Sequence, residues 1–383
     1  MEASPSRASM SPAFSRAVHG TRAVFGGALE WDGADALDPS AMAVTALGMG
    51  VPILIGVLIG RPNIGLAASL GAMWVGNAPR GASLAEHMRM VRDIVLAAVG
   101  AAIIAAAIAQ HGLWSDAGLV LTAGIAALVG GFSRPAAVAS QRFIVFVTIG
   151  LGVATHAHDR VALAILIAEG ALWAALCALA IGVAARRLRI GQVAPTEPPS
   201  KATFAQLYRR WRRTLTTAAG WTYPLRLIAC LGCALAIRET APEHHYSWIA
   251  VAVALLTQRQ GDGLIVKVSQ RALGVAAGVI ATEAIAARPL PGWALVVVIA
   301  GLAAASPWLR KRSYVAYTAA TTPLIMLLTS GGETIGQGLL LDRLVATLIA
   351  AALVIVAFLT ARRLMPPPSP DSPRSSLGRD RPR

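Results

Sequence analysis

The sequence has few charged residues and few aromatic ones. Charged residues make up 14% of its 383 positions and aromatic residues 5%, whereas about a quarter of a soluble globular protein is charged. Hydrophobic residues make up 56%. This composition excludes an ordinary soluble protein and predicts an all-α membrane protein, because helices can satisfy their backbone groups internally in lipid.

Cysteine is also scarce, and motifs of catalytic sites are absent. Cys177, Cys230 and Cys233 all fall within apolar runs, where a thiol behaves as a small hydrophobic group. The CxxC spacing of the last two is therefore typical of packing residues, and no disulfide framework is implied. There is no P-loop, nucleophile elbow, zincin motif or dinucleotide-binding glycine pattern. We expect no enzyme activity, no cofactor and no metal.

Acidic residues are outnumbered, 19 against 34 basic ones, for a net charge of +15. In a soluble chain this excess would favour nucleic-acid binding. Here the basic residues lie between apolar segments and have no separate domain, so we expect no nucleic-acid partner. Such a distribution is typical of loops on the cytoplasmic side of a membrane.

Twelve apolar segments are long enough to be membrane helices or broken helices, given that about 20 residues span the hydrocarbon core. The second and eighth are the shortest. The predicted segments are 41–60, 63–77, 93–110, 114–132, 135–155, 161–185, 224–238, 245–257, 268–287, 291–307, 313–329 and 341–364.

The positive-inside rule gives this arrangement an orientation. With both termini in the cytoplasm of a bacterial cell, all but five of the 34 Lys and Arg residues fall on the inner side of the plasma membrane. The five on the outer side are Arg61, Arg160, Arg238, Arg288 and Arg343.

The two groups of six segments form two predicted repeats. Asp159 and Arg160 precede the sixth segment, and Asp342 and Arg343 precede the twelfth, 183 residues further on. An even number of spans gives both repeats one orientation, and two short segments at corresponding positions point to a transport site. The predicted divisions are an N-terminal arm (1–40), repeat 1 (41–185), a linker (186–222), repeat 2 (223–365) and a disordered C-terminal tail (366–383).

The linker contains a predicted amphipathic helix. Phe204, Leu207, Tyr208, Trp211 and Leu215 share one helical face, with arginines around it. This pattern favours a helix lying on anionic lipid headgroups, and an ordinary solvated connector is the alternative. The arginines are Arg209, Arg210, Arg212 and Arg213.

The second half resembles the fusaric acid resistance family, which includes aromatic acid exporters. The resemblance rests on Tyr246 and Trp248 in a short helix, the QRQGDG loop, Arg271 followed by Gly274, and the Thr322-Pro323 pair. Asp342-Arg343 is similar to the charged start of the family's last helix. The resemblance implies export of aromatic or other organic acids. Plant aluminium-activated malate channels are more distant relatives, which leaves a passive anion channel open.

Ionisable residues within spans are candidates for the transport chemistry, since they are costly in hydrocarbon and usually line a cavity or meet a partner. Glu169 is a candidate proton-binding carboxylate, or else a helix-packing residue. Arg142 is a candidate carboxylate-binding fork, or else snorkels to the interface. Arg92 and Arg271 begin long helices and either attract anions or set topology.

Aromatic and hydroxyl side chains complete the predicted site. Trp74, Tyr246 and Trp248 could stack on an aromatic substrate, although both residue types are common at membrane interfaces. The pair Thr321 and Thr322, before Pro323, predicts a break that exposes carbonyls to a cavity, or a simple kink.

The sequence thus predicts a transporter that exports small, aromatic organic acids, driven by protons. A passive organic-anion channel and a non-transporting membrane scaffold or lipid sensor are the alternatives. The expected partners are an organic anion and membrane lipids, with anionic lipid at the linker. GxxxG pairs such as Gly274 and Gly278 predict close helix packing, or else a contact in a homo-oligomer.

Overall fold

The computed structural model describes most of the predicted membrane region, and every regular element in the described part is an α-helix. Nearly all of the predicted N-terminal arm, the whole predicted tail and the loop holding Arg80 lie outside the described residues. The described residues are 31, 37–76, 83–109, 112–188, 202–241, 244, 246–259, 263–286, 290–330 and 337–364.

Thirteen helices are present in these ranges. Each of the twelve predicted apolar segments coincides with one of them, and the other, α7, is the predicted amphipathic helix. They are α1 (Pro39–Leu58), α2 (Pro62–Val75), α3 (Leu84–Ile108), α4 (Leu113–Val129), α5 (Arg134–Ala154), α6 (Arg160–Arg187), α7 (Phe204–Leu215), α8 (Ala218–Thr240), α9 (Ser247–Leu256), α10 (Leu264–Ala286), α11 (Gly292–Arg312), α12 (Tyr314–Thr329) and α13 (Gln337–Leu364).

Eight of the described helices are long and apolar enough to cross a membrane. The protein is therefore a multi-pass membrane protein. The other apolar helices, α2, α4, α9 and α12, have 14, 17, 10 and 16 residues. At about 1.5 Å of rise per residue, α9 is only about 15 Å long, half of the hydrocarbon thickness.

Side-chain caps place several helix starts. The Ser83 hydroxyl accepts a hydrogen bond from the Glu86 amide, so α3 begins at Leu84. That is nine residues before the predicted start at residue 93, because the polar first turns of α3 carry no apolar signal. Asp159 caps α6 in the same way, accepting from the amides of Val161 and Ala162.

Helix packing brings α2, α5, α9 and α12 to the junction between the two halves of the chain. Within the first half, α1 packs on α2 and α6, and α3 packs on α5 and α6. Within the second half, α8 packs on α9 and α13, and α10 packs on α12 and α13. Across the junction, α5 packs on α9 and α12 on α2, with α1 on α11 and α4 on α8 at the sides.

Two glycines allow α2 and α6 to pack backbone against backbone. A Cβ atom on Gly71 would lie 1.9 Å from the carbonyl oxygen of Ile167, and one on Gly170 would lie 1.7 Å from that of Ala68. No side chain fits at either point, as is common where membrane helices approach closely. These contacts fix the rotation of α6 about its axis.

The amphipathic helix α7 docks through its aromatic face on the turn between α4 and α5. Trp211 Nε1 donates a hydrogen bond of 3.0 Å to the carbonyl of Leu128. The Phe132 ring lies 5.4 Å from the Phe204 ring and 6.2 Å from the Trp211 ring. All four arginines of α7 are exposed. Part of the face predicted to lie on lipid is therefore covered by protein.

Candidate functional site

A large cavity lies where the two halves meet. Its volume is about 830 Å³, which is within the range of pockets that hold small organic ligands. We call it the basic cavity, because five cations and no carboxylate are among its described lining residues. The cations are Arg134, Arg142, Arg259, Lys267 and Arg271.

The remaining wall of the basic cavity combines hydroxyl, amide and apolar groups. Several helices contribute, including the ends of both short helices α2 and α9, which supply Met73 and Leu255. The polar uncharged residues are Thr45, Gln141, Gln258, Ser306, Tyr314, Tyr317 and Thr321. Hydrogen-bond donors and aromatic rings thus surround a positively charged space.

Arg271 is a buried cavity arginine with a nitrogen atom that the described residues leave unsatisfied. It is only 8% exposed, and its Nε is buried without a partner among the described residues. Its Nη1 donates a long hydrogen bond of 3.4 Å to the Tyr314 hydroxyl, and Lys267 Nζ lies 5.4 Å from the centroid of that tyrosine ring. Lys267 and Arg271 are four residues apart and so share one face of α10. Two basic residues at this spacing in an apolar helix are the feature of the sequence that could have identified the pair.

Arg259, in contrast, is held by protein groups. Its guanidinium donates to the carbonyl of Ala127 and lies 4.5 Å from the centroid of the Tyr223 ring. Burial lowers the pKa of Arg259 from its usual value, although the nearby Tyr223 opposes this effect. The sequence placed Arg259 in a basic loop and did not predict its inward position.

The side chain of Gln141, in the first half, forms hydrogen bonds with two helices of the second half beside the cavity. Its Nε2 donates a hydrogen bond of 2.6 Å to the carbonyl of Ala254 in α9. Its Oε1 accepts one of 2.8 Å from the Tyr223 hydroxyl in α8. Gln141 was not predicted from the sequence, although a polar amide next to the predicted Arg142 within an apolar segment could have indicated a cavity residue. Arg142 itself lines the cavity and is half-buried.

The two predicted threonines have different environments. Thr321 lines the basic cavity, and its hydroxyl donates to the carbonyl of Tyr317 at 2.9 Å. Thr322 is buried and faces α10, where a Cβ atom on Gly278 would lie 2.6 Å from the Thr322 Cβ. Thr322 is therefore a packing residue of the α10–α12 contact, and Thr321 belongs to the site.

Tyr246 and Trp248 lie outside the basic cavity. Tyr246 stacks on His244, with ring centroids 4.9 Å apart, and the Arg343 guanidinium lies 3.6 Å from the centroid of the Trp248 ring. The reason is their position at the start of α9, whereas the cavity touches the end of that helix at Leu255. The side chain of Trp74 is outside the described part of the structure.

Glu169 and Arg92 are also outside the basic cavity. Because Gly170 and Ala171 face the core, the neighbouring Glu169 lies on the exposed side of α6. Arg92 is exposed and forms an ion pair of 2.8 Å with Asp93. Glu169, the candidate proton-binding carboxylate, and Arg92, the candidate for attracting anions, thus lie away from the basic cavity.

A second cavity of about 410 Å³ lies at the opposite ends of α5 and α9. We call it the polar cavity. Arg238 there donates to both carboxylate oxygens of Asp116, at 2.9 and 2.8 Å, and to Glu239 at 2.7 Å. His156 and His244 also line it. Arg238 was predicted on the same side as Arg343, but its partner in the first half could not be read from the sequence.

Buried apolar side chains separate the two cavities. On α5, the basic cavity reaches Ile149 and the polar cavity reaches the adjacent Thr148, and Val147 is fully buried. On α9, the corresponding positions are Leu255 and Ala250, and the residues between them are buried. An anion in the basic cavity is thus closed off from the polar cavity in this conformation.

Comparison with known proteins finds one family that is similar to the second half of the chain. Residues 228–357 match the family model described as fusaric acid resistance protein-like. No curated protein and no solved structure matches the chain. The match spans α9 to α12 and most of α8 and α13, and so includes Arg271, Tyr314 and Arg343. The chain is therefore a multi-pass membrane protein, and residues 228–357 are similar to the fusaric acid resistance protein-like family.

Proposed function

We propose that this protein exports small organic acids, aromatic carboxylates in particular, and that the basic cavity is their binding site. The observation that carries the proposal is the composition of that cavity, with five cations and no carboxylate among its described lining residues. An arginine fork suits a carboxylate, and Tyr314 and Tyr317 supply aromatic surface for a ring. The volume of about 830 Å³ admits an acid of this size.

The proposal assigns Arg271 the central role. Its Nε has no partner in the described residues and its hydrogen bond to Tyr314 is long, so a substrate carboxylate would meet an unsatisfied donor. Lys267 adds positive charge from the same helix face. Arg142 and Thr321 line the cavity and extend the donor set.

A carrier mechanism with twelve spans in two parallel repeats is part of the proposal. The packing partners support it: α1, α2 and α6 contact one another as α8, α9 and α13 do, and α5 meets α9 as α12 meets α2. The buried residues between the cavities favour a carrier over a continuously open channel. Cytoplasmic termini in a bacterial inner membrane are proposed from the distribution of Lys and Arg, and export is proposed from the similarity of the second half to fusaric acid resistance proteins.

Proton coupling requires an ionisable carboxylate that lines one of the cavities. Glu169 is an unsuitable coupling group because it faces away from both cavities. Asp116 suits the role better, since it lines the polar cavity and is nearly buried beside Arg238. The α7 arginines make anionic lipid a proposed partner, because they are exposed beside a docked aromatic face.

Ligand-dependent thermal stability tests the function. Binding to the native state must raise the melting temperature, so benzoate is expected to stabilise the purified protein more than an uncharged analogue, benzamide. Arg271→Gln should lose most of this stabilisation. Arg92→Gln, which removes an exposed arginine already paired with Asp93, should retain it.

Flux measurements then separate a carrier from the alternatives. In proteoliposomes, a carrier predicts benzoate flux that saturates and carries little current, whereas a channel predicts anion current. If benzoate neither stabilises the protein nor crosses the membrane, and other carboxylates behave alike, the transport proposal is wrong. A scaffold would then be the better interpretation.

A further inference from the structure

The guanidinium of Arg343 is buried in the second half, and no described residue supplies a counter-charge to it. Arg343 is 4% exposed, and its Nη1 has no hydrogen-bond partner among the described residues. The ion pairs of the described residues do not include it. Its contact is with the Trp248 ring, 3.6 Å from the centroid. A buried charge without a partner is strongly unfavourable, both in protein and in membrane.

The neighbouring carboxylate is occupied elsewhere. Asp342 Oδ1 lies 2.9 Å from His244 Nδ1. The charge that acts on Arg343 among the described residues is that of Arg271, another cation. A cation–π contact offsets only part of the cost of removing a guanidinium from water. The buried guanidinium of Arg343 could therefore bind an anion that the described residues do not provide.

Arg160, at the corresponding position in the first half, does have a hydrogen-bond partner. It follows Asp159 at the start of α6, as Arg343 follows Asp342 near the start of α13. Arg160 Nη1 donates a hydrogen bond of 2.9 Å to the carbonyl of Ala109. The equivalent arginine of the first half is therefore held by backbone, and the one in the second half is not.

The surroundings of Arg343 adjoin the polar cavity. His244, which pairs with Asp342, and Ser247, which precedes Trp248, both line that cavity. Trp248 is only half-buried. An anion that reaches the polar cavity is thus separated from Arg343 by the Trp248 ring and the His244–Asp342 pair.

We propose that Arg343 and Trp248 form a second anion subsite, which takes the carboxylate of an organic acid after it leaves the basic cavity and before it enters the polar cavity. The inference rests on the proposed transport function and adds a site to it. Arg343 binds the carboxylate through its fork, and Trp248 contacts the aromatic ring of the same molecule. The subsite is closed in this conformation, and it opens when α9 and α13 move apart at Trp248.

The decisive experiment compares Arg343→Gln with Arg160→Gln. In proteoliposomes, R343Q is expected to reduce benzoate transport at least tenfold, while benzoate still stabilises the protein thermally through the basic cavity. R160Q should keep transport within about twofold of the unmodified protein. Unchanged transport in R343Q, or an equal loss in both variants, would overturn the subsite.

The thermal stability of the protein without any carboxylate gives a second, independent readout. Replacing a buried, uncompensated cation by neutral glutamine should raise the melting temperature of R343Q, because the unfavourable charge is gone. A structural role for Arg343 predicts a lower melting temperature, and that result would count against the proposal. Arg343→Lys replaces this variant if R343Q does not fold. Loss of the guanidinium fork should raise the KM for benzoate severalfold. An unchanged KM would overturn the proposed subsite.

These results are distinguishable from failure of the transport function itself. If the unmodified protein neither binds nor transports benzoate or any other carboxylate, the proposed function is wrong and the subsite fails with it, even if R343Q is more stable. If the unmodified protein transports benzoate and R343Q transports it equally well, the function stands and the subsite is wrong.

Discussion

The arginines in the protein interior differ in how fully protein groups satisfy them. Arg226 and Arg259 donate to the backbone carbonyls of Gln258 and Ala127, and each lies near an aromatic ring. They hold the helix ends around the basic cavity in place. Arg271 and Arg343 have buried nitrogen atoms without a partner in the described residues, as Arg226 has at Nε, but unlike Arg226 they donate to no backbone carbonyl there. Unsatisfied donors of this kind are costly unless a ligand uses them, so we assign binding roles to the second pair only.

Gly170 offers a test of how tightly α2 and α6 are packed. Gly170→Ala would put a methyl group 1.7 Å from the carbonyl oxygen of Ala68, and backbone cannot move aside as a flexible side chain can. We expect a loss of about 1–3 kcal/mol in the free energy of unfolding, as for overpacked cores. Chemical denaturation in detergent measures it.

The matched control for Gly170 is Gly301→Ala in α11. Nothing lies within 4 Å of a Cβ atom built there, and alanine favours helix over glycine by up to about 1 kcal/mol. This variant should be neutral or more stable. Equal destabilisation of both variants would contradict the close packing.

At the scale of whole helices, α9 lines both cavities, as α5 does. Ser247 and Ala250 line the polar cavity, and Leu255 lines the basic one. With only 10 residues, α9 leaves room for cavities at both of its ends, where a full span would fill the space. A short helix near the bilayer midplane with a binding site at its end is typical of transporter folds.

The helices themselves were predictable from hydropathy, because each apolar run is long and bounded by polar or basic residues. Which way each helix faces was not predictable. Glu169 is exposed because the neighbouring Gly170 packs against Ala68 in the contact between α2 and α6. These two residues are about 100 positions apart in the sequence. Arg271 was a candidate from its place at the start of a long helix, and it lines the basic cavity. Tyr317 and Gln141 line the same cavity only because separate helices meet there.

The α7 helix carries a prediction about lipid. Replacing Arg209, Arg210, Arg212 and Arg213 with glutamine removes four exposed charges, each contributing about 1 kcal/mol to attraction by an anionic surface. Added anionic lipid should stabilise the unmodified protein in detergent, and this stabilisation should be lost in the variant and at high salt.

The control for α7 replaces Arg362 and Arg363, two exposed arginines in the last turn of α13. This variant should keep most of the stabilisation by lipid, because α13 has no amphipathic aromatic face beside them. A response of the α7 variant equal to that of the unmodified protein would show that α7 is an ordinary connector.

At the scale of the molecule, the ion pair of Asp116 and Arg238 joins the first half to the second across the polar cavity. Asp116→Asn should cost about 1–3 kcal/mol of stability, less than a fully buried pair, because Glu239 still holds Arg238 and solvent screens it. Arg238→Gln should cost a similar amount. A double-mutant cycle by thermal or chemical unfolding measures the coupling.

An exchange variant, Asp116→Arg with Arg238→Asp, tests whether the pair acts as a unit. It should recover part of the stability that the single charge reversals lose, since opposite charges again face each other. If the exchange variant is as unstable as the two single reversals added together, the two residues do not act on each other directly.

The glycine contacts between α2 and α6 limit which parts of the protein can move. Helices whose backbones touch at Gly71 and Gly170 have no intervening side chains that could change rotamer, so they can neither slide nor rotate past each other easily. They should travel as a single rigid body. The contact between α5 and α9 depends instead on side chains such as Gln141, whose rotamer changes allow the hinge motion that transport requires.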